Sequence, residues 1–187
     1  MKTAAIDVES LQALHDTLQR FIVAHEKSDA DTQRDILRQL VEREQAAYQR
    51  KIEALGELKT LMREVRAARG VDNCVASLIT AFKFAAELRA IAQDELDDRE
   101  TAETATSAAH QLFEQLEAIV PENSAILLDL LTDPSPAVQA SAGAHLLHTV
   151  PEQAIPVLEA LDRHASGSPS LSAWFALARH KAENGVK

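Results

Sequence analysis

Apolar residues recur every three or four positions along most of the chain, which is the period of an amphipathic α-helix. The first such run predicts a helix over about residues 8–26, with its apolar face made by Leu11, Leu14, Leu18, Phe21 and Ile22. A short polar turn at residues 28–31 follows it. Nothing then forces a stop over residues 32–69, a length of about 57 Å as one helix. Gly56 is the weak point, so this segment is either continuous or broken there.

The segment 32–69 also carries a repeat of seven residues, typical of helices that pack side by side. Its apolar positions are Val41, Tyr48, Leu55 and Met62 in one column, Leu37, Leu58 and Val65 in the companion column, and Ile52 alongside. Glu44 and Lys51 interrupt the second column. The interruptions favour packing inside a bundle or against a partner over a long free-standing dimer.

Two further helices are predicted before residue 121. Gly70 is typical of a residue that ends a helix, and Asp72 or Asn73 is the predicted N-cap of the next one. That third helix has apolar residues around much of its circumference and is predicted to be the most buried. The fourth helix spans about residues 101–120 and is stopped by Pro121. Its apolar stripe is Ala105, Ala109, Leu112, Leu116 and Ile119. Short connections predict an antiparallel, four-helix bundle-like region over residues 1–120.

The remaining region, residues 121–187, contains an internal repeat of thirty-one residues. Leu127, Leu130, Ala142 and Leu146 recur as Leu158, Leu161, Ala173 and Leu177. Each half reads as a helix, a turn rich in Pro or Ser, and a second helix. The predicted fold class is therefore all-α: a helical bundle with a long helix or helical hairpin at the N-terminus, followed by two α-hairpins.

The first of these halves resembles a HEAT-type repeat, and the resemblance as a whole covers about residues 124–182, which include both halves. The resemblance rests on a leucine-rich helix, the Asp133-Pro134 pair, and Val138 with small residues after it. Gln139 stands where many such repeats have Arg, and the second half lacks the Asp-Pro pair. The chain is also similar to small bacterial HEAT-like domains of toxin and immunity loci. The resemblance implies a stacked helical surface used for protein recognition.

Composition limits the location of the chain and the chemistry open to it. Cys74 is the single cysteine, so no internal disulfide can form and a reducing compartment is expected. The N-terminal residues lack the apolar run of a signal peptide, and no window is apolar enough to span a membrane. These features predict a cytoplasmic protein that does not bind a membrane.

The formal net charge of −10 falls entirely on the second part of the chain. Residues 1–70 balance, whereas residues 71–187 carry the whole excess, and it is densest after position 93. Such a surface repels phosphate backbones, so direct nucleic-acid binding is not expected. The acidic run is instead a hypothetical binding surface for a basic protein, made by Asp94, Glu95, Asp97, Asp98, Glu100 and Glu103. Asp97, Asp98 and Glu100 supply none of the apolar stripes, so reversing these three together to lysine is expected to leave the fold intact.

No pattern of catalytic, cofactor-binding or metal-binding residues is found. His145 and His148 have a spacing that suits one metal ion, but no third ligand is evident, and solvent-facing or capping roles are expected for them. No histidine follows a Glu by three residues, so a di-iron bundle is excluded. Phosphate-binding glycine loops and a Gly-x-Ser-x-Gly elbow are absent from the sequence. No enzyme activity, metal or cofactor is therefore predicted.

Trp174 and Phe175 are adjacent on the last predicted helix, so they diverge by about 100°. Either one is an exposed anchor for a partner, with Trp174 the candidate, or both are buried by the terminal helix.

The acidic charge, the lack of a catalytic pattern and the resemblance together predict a non-enzymatic protein-binding protein. It is specifically an immunity or antitoxin-type inhibitor that occludes a basic toxin or effector domain. The alternative is a helical chaperone, scaffold or adaptor that holds a partner helix along the heptad stripe.

Overall fold

The computed structural model describes residues 30–120 and 124–185, and over this part the chain is 86% helical with no strand. Seven α-helices are present there, and the all-α prediction is confirmed. They are α1 (Ala30–Ala67), α2 (Val71–Asp94), α3 (Arg99–Ile119), α4 (Ala125–Asp129), α5 (Pro136–Leu146), α6 (Pro151–His164) and α7 (Ser168–Glu183), with a 3-10 turn (Leu130–Thr132) directly after α4. The helix predicted over residues 8–26 and the role predicted for Pro121 lie outside the described residues.

The chain divides into two compact units, residues 1–48 and residues 49–187. In the second unit one continuous core runs from Leu58 to Leu177 and includes residues on both sides of position 120. The division into regions 1–120 and 121–187 stays a prediction. Among the described helices α2 has the most buried residues, as its apolar circumference predicts, and it packs most extensively against α3.

Helix α1 is one continuous helix of 38 residues, so Gly56 does not break it. Within the second unit most of its stripe belongs to the core, because Leu58 is buried and Leu55, Met62 and Val65 pack against the core. Ile52, near the start of this unit, is exposed. Within the first unit the stripe is uncovered, with Leu37, Val41 and Tyr48 all exposed. The heptad pattern therefore predicted core packing correctly for only the later part of this helix.

The start of α2 differs from the prediction. Gly70 is its N-cap, with a φ of 80°, and no side chain caps the helix. Asp72 and Asn73 lie inside the first turn, and the Asn73 amide donates to the carbonyl oxygen of Arg69 at 3.0 Å. A positive φ favours glycine, so Gly70 serves the turn between α1 and α2 where a side-chain cap was expected.

The eight residues of the internal repeat are all buried, and all belong to the one core. Helix α5 packs against both α6 and α7, and α6 packs against α7, which gives hairpin-like packing in this region. Helix α4 is only five residues long and continues directly into the 3-10 turn over Leu130–Thr132. The residues that recur in the two halves are thus all core residues, although the first helix of each half differs in length.

Asp133 connects this region to α2. Its buried side chain forms an ion pair of 2.6 Å with Lys83, and its other carboxylate oxygen accepts a hydrogen bond of 2.9 Å from the backbone amide of Ser135. A buried carboxylate needs such partners, since an unpaired charge is costly to remove from water. The Asp-Pro pair on which the resemblance rests therefore lies at a contact with the middle of α2, made by the ion pair of Asp133 and Lys83.

Helix α5 approaches α6 so closely at Gly143 that a side chain does not fit. A Cβ atom there would lie 2.9 Å from Cδ2 of Leu158, which is fully buried. We expect Gly143→Ala to lower the free energy of unfolding by about 1–2 kcal/mol, because overpacking a rigid core costs more than helix propensity returns. Urea unfolding followed by circular dichroism measures this.

The matched control is Gly56→Ala, since Gly56 also lies inside a helix but a Cβ atom there would have nothing within 4 Å. That change should stabilise the chain by about 0.5–1 kcal/mol through helix propensity alone. Equal stabilisation by both substitutions would contradict the close packing of α5 on α6.

Candidate protein-binding site

A cleft of about 670 Å³ opens where the end of α2, the start of α3 and the start of α7 meet. Four of the predicted site residues line it, namely Asp94, Asp97, Asp98 and Glu103. Arg89 and Arg99 also line it, and Leu171 of α7 forms part of its wall. Glu95, Glu100 and Trp174 are not among the lining residues. The sequence located all four acidic lining residues but missed Leu171 and the two arginines.

Asp94 serves as a cap for a helix far away in sequence. Both of its carboxylate oxygens accept hydrogen bonds from the backbone amide of Ser168, at 2.9 and 3.0 Å, and the Ser168 hydroxyl donates to it at 3.0 Å. Ser168 is the first residue of α7, where backbone amides lack partners within the helix and the helix dipole favours negative charge. Gly167, the N-cap, has no side chain, so Asp94 supplies the missing acceptor.

Asp98 connects the start of α3 to α1. It is the N-cap of α3, accepts a hydrogen bond of 3.0 Å from the backbone amide of Thr101, and lies 2.8 Å from Nζ of Lys51 on α1. Burial alone would raise the pKa of Asp98, but the hydrogen bonds from Lys51 and Thr101 outweigh burial and hold it below the usual range. The break that Lys51 makes in the heptad stripe is thereby explained, since this side chain reaches the turn between α2 and α3.

Three of the other acidic residues form ion pairs with side chains that are mostly exposed. Glu95 lies 3.7 Å from Arg50, Glu100 lies 3.6 Å from Lys51, and Glu103 pairs with Arg99 at 2.7 Å. Most of these side chains are well exposed, and exposed pairs contribute little to stability. The side chain of Asp97, a residue with a φ of 49°, has no ion pair or hydrogen bond within the described part of the chain.

The acidic run is thus partly structural. Its expected neutrality toward charge reversal does not hold for Asp98, because a lysine there would lose the N-cap and face Lys51. The same reasoning applies to Asp94, whose carboxylate completes the start of α7. Glu95, Asp97, Glu100 and Glu103 are exposed, have no capping role and remain the acidic residues available to a partner.

Helix α7 carries a cluster of exposed apolar side chains next to the cleft. Leu171 is 55% exposed, Trp174 is 51% exposed and Phe175 is 58% exposed, and we call these three residues the α7 apolar cluster. The two aromatic rings pack edge to face, with centroids 4.9 Å apart. Neither aromatic residue is buried, so the alternative that the terminal helix buries both is wrong. The spacing of Leu171, three residues before Trp174, was the sequence signal that went unused.

His145 is neither solvent-facing nor a cap, which corrects the expectation for it. Its ring stacks on Phe113, with centroids 4.5 Å apart, and on His110 at 5.2 Å. Burial, reinforced by the positive charges of His110 and Arg179, lowers the pKa of His145 to about 4. His148 is exposed as expected. No group of three metal-binding side chains occurs among residues 30–120 and 124–185.

None of the helices in the described ranges is both long enough and apolar enough to cross a membrane. Comparison of the chain with protein-family models, with curated proteins and with solved structures found no match in any of the three.

Proposed function

We propose that the chain is a non-enzymatic protein-binding protein of the immunity or antitoxin type, which recognises its partner through the α7 apolar cluster. The observation that supports this proposal is the exposure of Leu171, Trp174 and Phe175 on one face of one helix. Large apolar side chains grouped on a surface mark interaction sites more often than scattered ones do. Tryptophan is also enriched among the residues that dominate binding energy.

The proposed partner is a basic toxin or effector domain. The chain has a formal net charge of −10, and three exposed acidic residues, Asp97, Glu100 and Glu103, lie at or near the cleft beside the cluster. Enzymes that act on phosphate-bearing substrates have positive clefts, and an acidic partner steers toward them over long range. A cytoplasmic location, the absence of a cofactor and the absence of catalytic activity belong to the same proposal.

The alternative function is a helical chaperone or scaffold that holds a partner helix. It is supported by the exposed stripe of Leu37, Val41 and Tyr48 on α1. Helices with such a stripe bind amphipathic helices through apolar contacts. Binding of that kind responds weakly to salt, whereas binding to a basic domain weakens as salt screens the charges. The salt dependence of affinity therefore separates the two functions.

Trp174 provides a direct test, because it is the single tryptophan of the chain and lies in the proposed site. Mixing the full chain with the purified product of the neighbouring gene should give a one-to-one complex and shift Trp174 emission to shorter wavelength. Calorimetry should show that Leu171→Ser and Phe175→Ser each weaken binding at least about tenfold, as expected for interface anchors.

The control is Ile126→Ser, since Ile126 is 39% exposed on α4, outside the cluster. It should leave affinity unchanged. A complex that forms with unchanged Trp174 emission, and that tolerates both cluster substitutions, would place recognition elsewhere and favour the stripe on α1.

A further inference from the structure

The α7 apolar cluster and the cleft form one continuous surface. Leu171 belongs to both, because it lines the cleft and is the first member of the cluster. Asp97 and Glu103 line the same cleft from the turn before α3 and from its second turn. The surface therefore has an acidic end at the cleft and an apolar end along α7, and a complementary partner must be basic at one end and apolar at the other.

Not all the charge in the cleft is available to a ligand. Asp94 and Asp98 are occupied by Ser168 and by Lys51 with Thr101. Arg89 is partly buried, and its guanidinium donates a hydrogen bond of 2.8 Å to the Ser172 hydroxyl. The carboxylates of the cleft that have no capping role are therefore Asp97 and Glu103.

Glu103 is available even though it forms a pair with Arg99. Both side chains of that pair are well exposed, and such pairs contribute little, so a competing cation can replace Arg99. Asp97 has no charged partner among the described residues, so a cation can bind it without first displacing another one. The open side of the cleft is consequently suited to a cationic side chain.

We propose that this surface binds an amphipathic, basic α-helix of the partner protein. Its lysine or arginine side chains lie against Asp97 and Glu103, and its apolar face covers the α7 apolar cluster. This inference rests on the proposed function and specifies the element by which the partner is recognised.

A helix fits this surface better than a strand does. The described part of the chain has no strand and hence no sheet edge to which an extended segment can add. Leu171 and Phe175 have the i, i+4 spacing of a helical ridge, and Trp174 lies beside it on the same face. Such a ridge packs into the groove between ridges of a second helix. A cationic side chain also gains from lying over the face of Trp174.

The test uses the full chain and two synthetic helical peptides of about 18 residues, which share a leucine stripe and differ only in carrying lysine or glutamate at the positions directly beside that stripe. Fluorescence anisotropy of the labelled peptide and Trp174 emission report binding at low and physiological salt. We expect the lysine peptide to bind at least about tenfold more tightly than the glutamate peptide, and Leu171→Ser to weaken its binding at least about tenfold.

Substitutions of the charged residues locate the basic face. Asp97→Asn with Glu103→Gln should remove most of the preference for lysine, and asparagine is chosen because it tolerates the positive φ at position 97. Arg89→Gln should tighten binding of the lysine peptide, since it removes a repelling charge from the cleft. The charge-matched control is Glu114→Gln with Asp129→Asn, two exposed residues outside the cleft, and it should leave the preference intact.

Five outcomes would each overturn the inference. Equal affinity for the two peptides would exclude a basic helix, and equal loss in the control pair would make the attraction a property of net charge alone. A dimer of the chain that dissociates on Leu171→Ser would make a second copy the occupant. If neither peptide binds while the protein partner binds and depends on Leu171, the helix is wrong and the proposed function stands. If the partner binds without need of Leu171, the proposed function itself fails.

Discussion

Replacing Gly167 with alanine is expected to lower the free energy of unfolding by about 3 kcal/mol. Gly167 has a φ of 69° and a ψ of −149°, a conformation open essentially only to glycine, and it costs a residue with a side chain about 1–3 kcal/mol. A Cβ atom there would also lie 2.5 Å from Oδ2 of Asp94, so the carboxylate must leave the start of α7. Losing hydrogen bonds to a charged acceptor adds about 1.5–3 kcal/mol. Denaturant unfolding of the two proteins measures the difference.

Gly70→Ala separates the two contributions. Gly70 has a similar φ of +80° but nothing within 4 Å of a Cβ atom, so it should show the backbone cost alone. Asp94→Ala removes the acceptor without touching the glycine, and it should make a following Gly167→Ala much less damaging. Additive effects of Asp94→Ala and Gly167→Ala would show that the carboxylate and the glycine do not interact, contrary to the geometry.

Acidification should destabilise the chain through His145, over a defined range of pH. The folded chain holds the pKa of His145 at about 4, below the ordinary value of 6.5, so the unfolded chain binds the proton more readily. The stabilisation is complete above pH 6.5, is lost as the pH falls toward 4, and does not change further below that. The loss amounts to about 3 kcal/mol, since one pKa unit corresponds to about 1.4 kcal/mol.

His145→Phe should keep the ring stack on Phe113 and remove the titration. We therefore expect the difference in unfolding free energy between pH 7.5 and pH 4.5 to be smaller in this variant than in the parent by about 2 kcal/mol. His148→Gln, at the exposed histidine just after α5, is the control and should reproduce the parent. Identical pH profiles for His145→Phe and the parent would show that His145 titrates normally in the fold.

Periodicity in the sequence was sufficient to find most of the helices and the core. The thirty-one-residue repeat identified eight positions, and burial of every one follows from the same physical cause, since each repeat must pack its apolar face on a neighbour. The fourth predicted stripe was right from Ala105 to Leu116, whereas Ile119 is exposed where the helix ends. Apolar spacing reports a helical face but not whether another element extends far enough to cover it.

The candidate site was harder to predict, because its chemistry depends on pairs that are distant in sequence. Asp94 and Ser168 are separated by 74 residues, so the capping role of Asp94 has no local signal. Lys51 could be read only as a break in a stripe until its contact with Asp98 was known. A run of carboxylates has the same appearance in a sequence whether its members cap helices or meet solvent.

The environment of His145 shows the same limitation on a smaller scale. The sequence places it near His148 on one helix, which raises the question of metal binding and leaves packing out of consideration. Its stacking partners, His110 and Phe113, come from α3, a helix that the spacing of the two histidines does not involve. Which face of a helix meets which neighbour is set by tertiary packing, and that information is spread over the whole chain.

The single core of residues 49–187 has a consequence for the order of events during synthesis. Helix α2 contacts α3 locally, but it also contacts α5 and α7, which the ribosome makes much later. Until then the nascent chain presents part of the apolar surface of α2 to solvent, where other chains and chaperones can reach it. Contacts between distant segments also slow folding, because their loops must close first. The native core of this unit can therefore be completed only after release of α7 from the exit tunnel, and slower translation ahead of that helix would prolong the exposed interval.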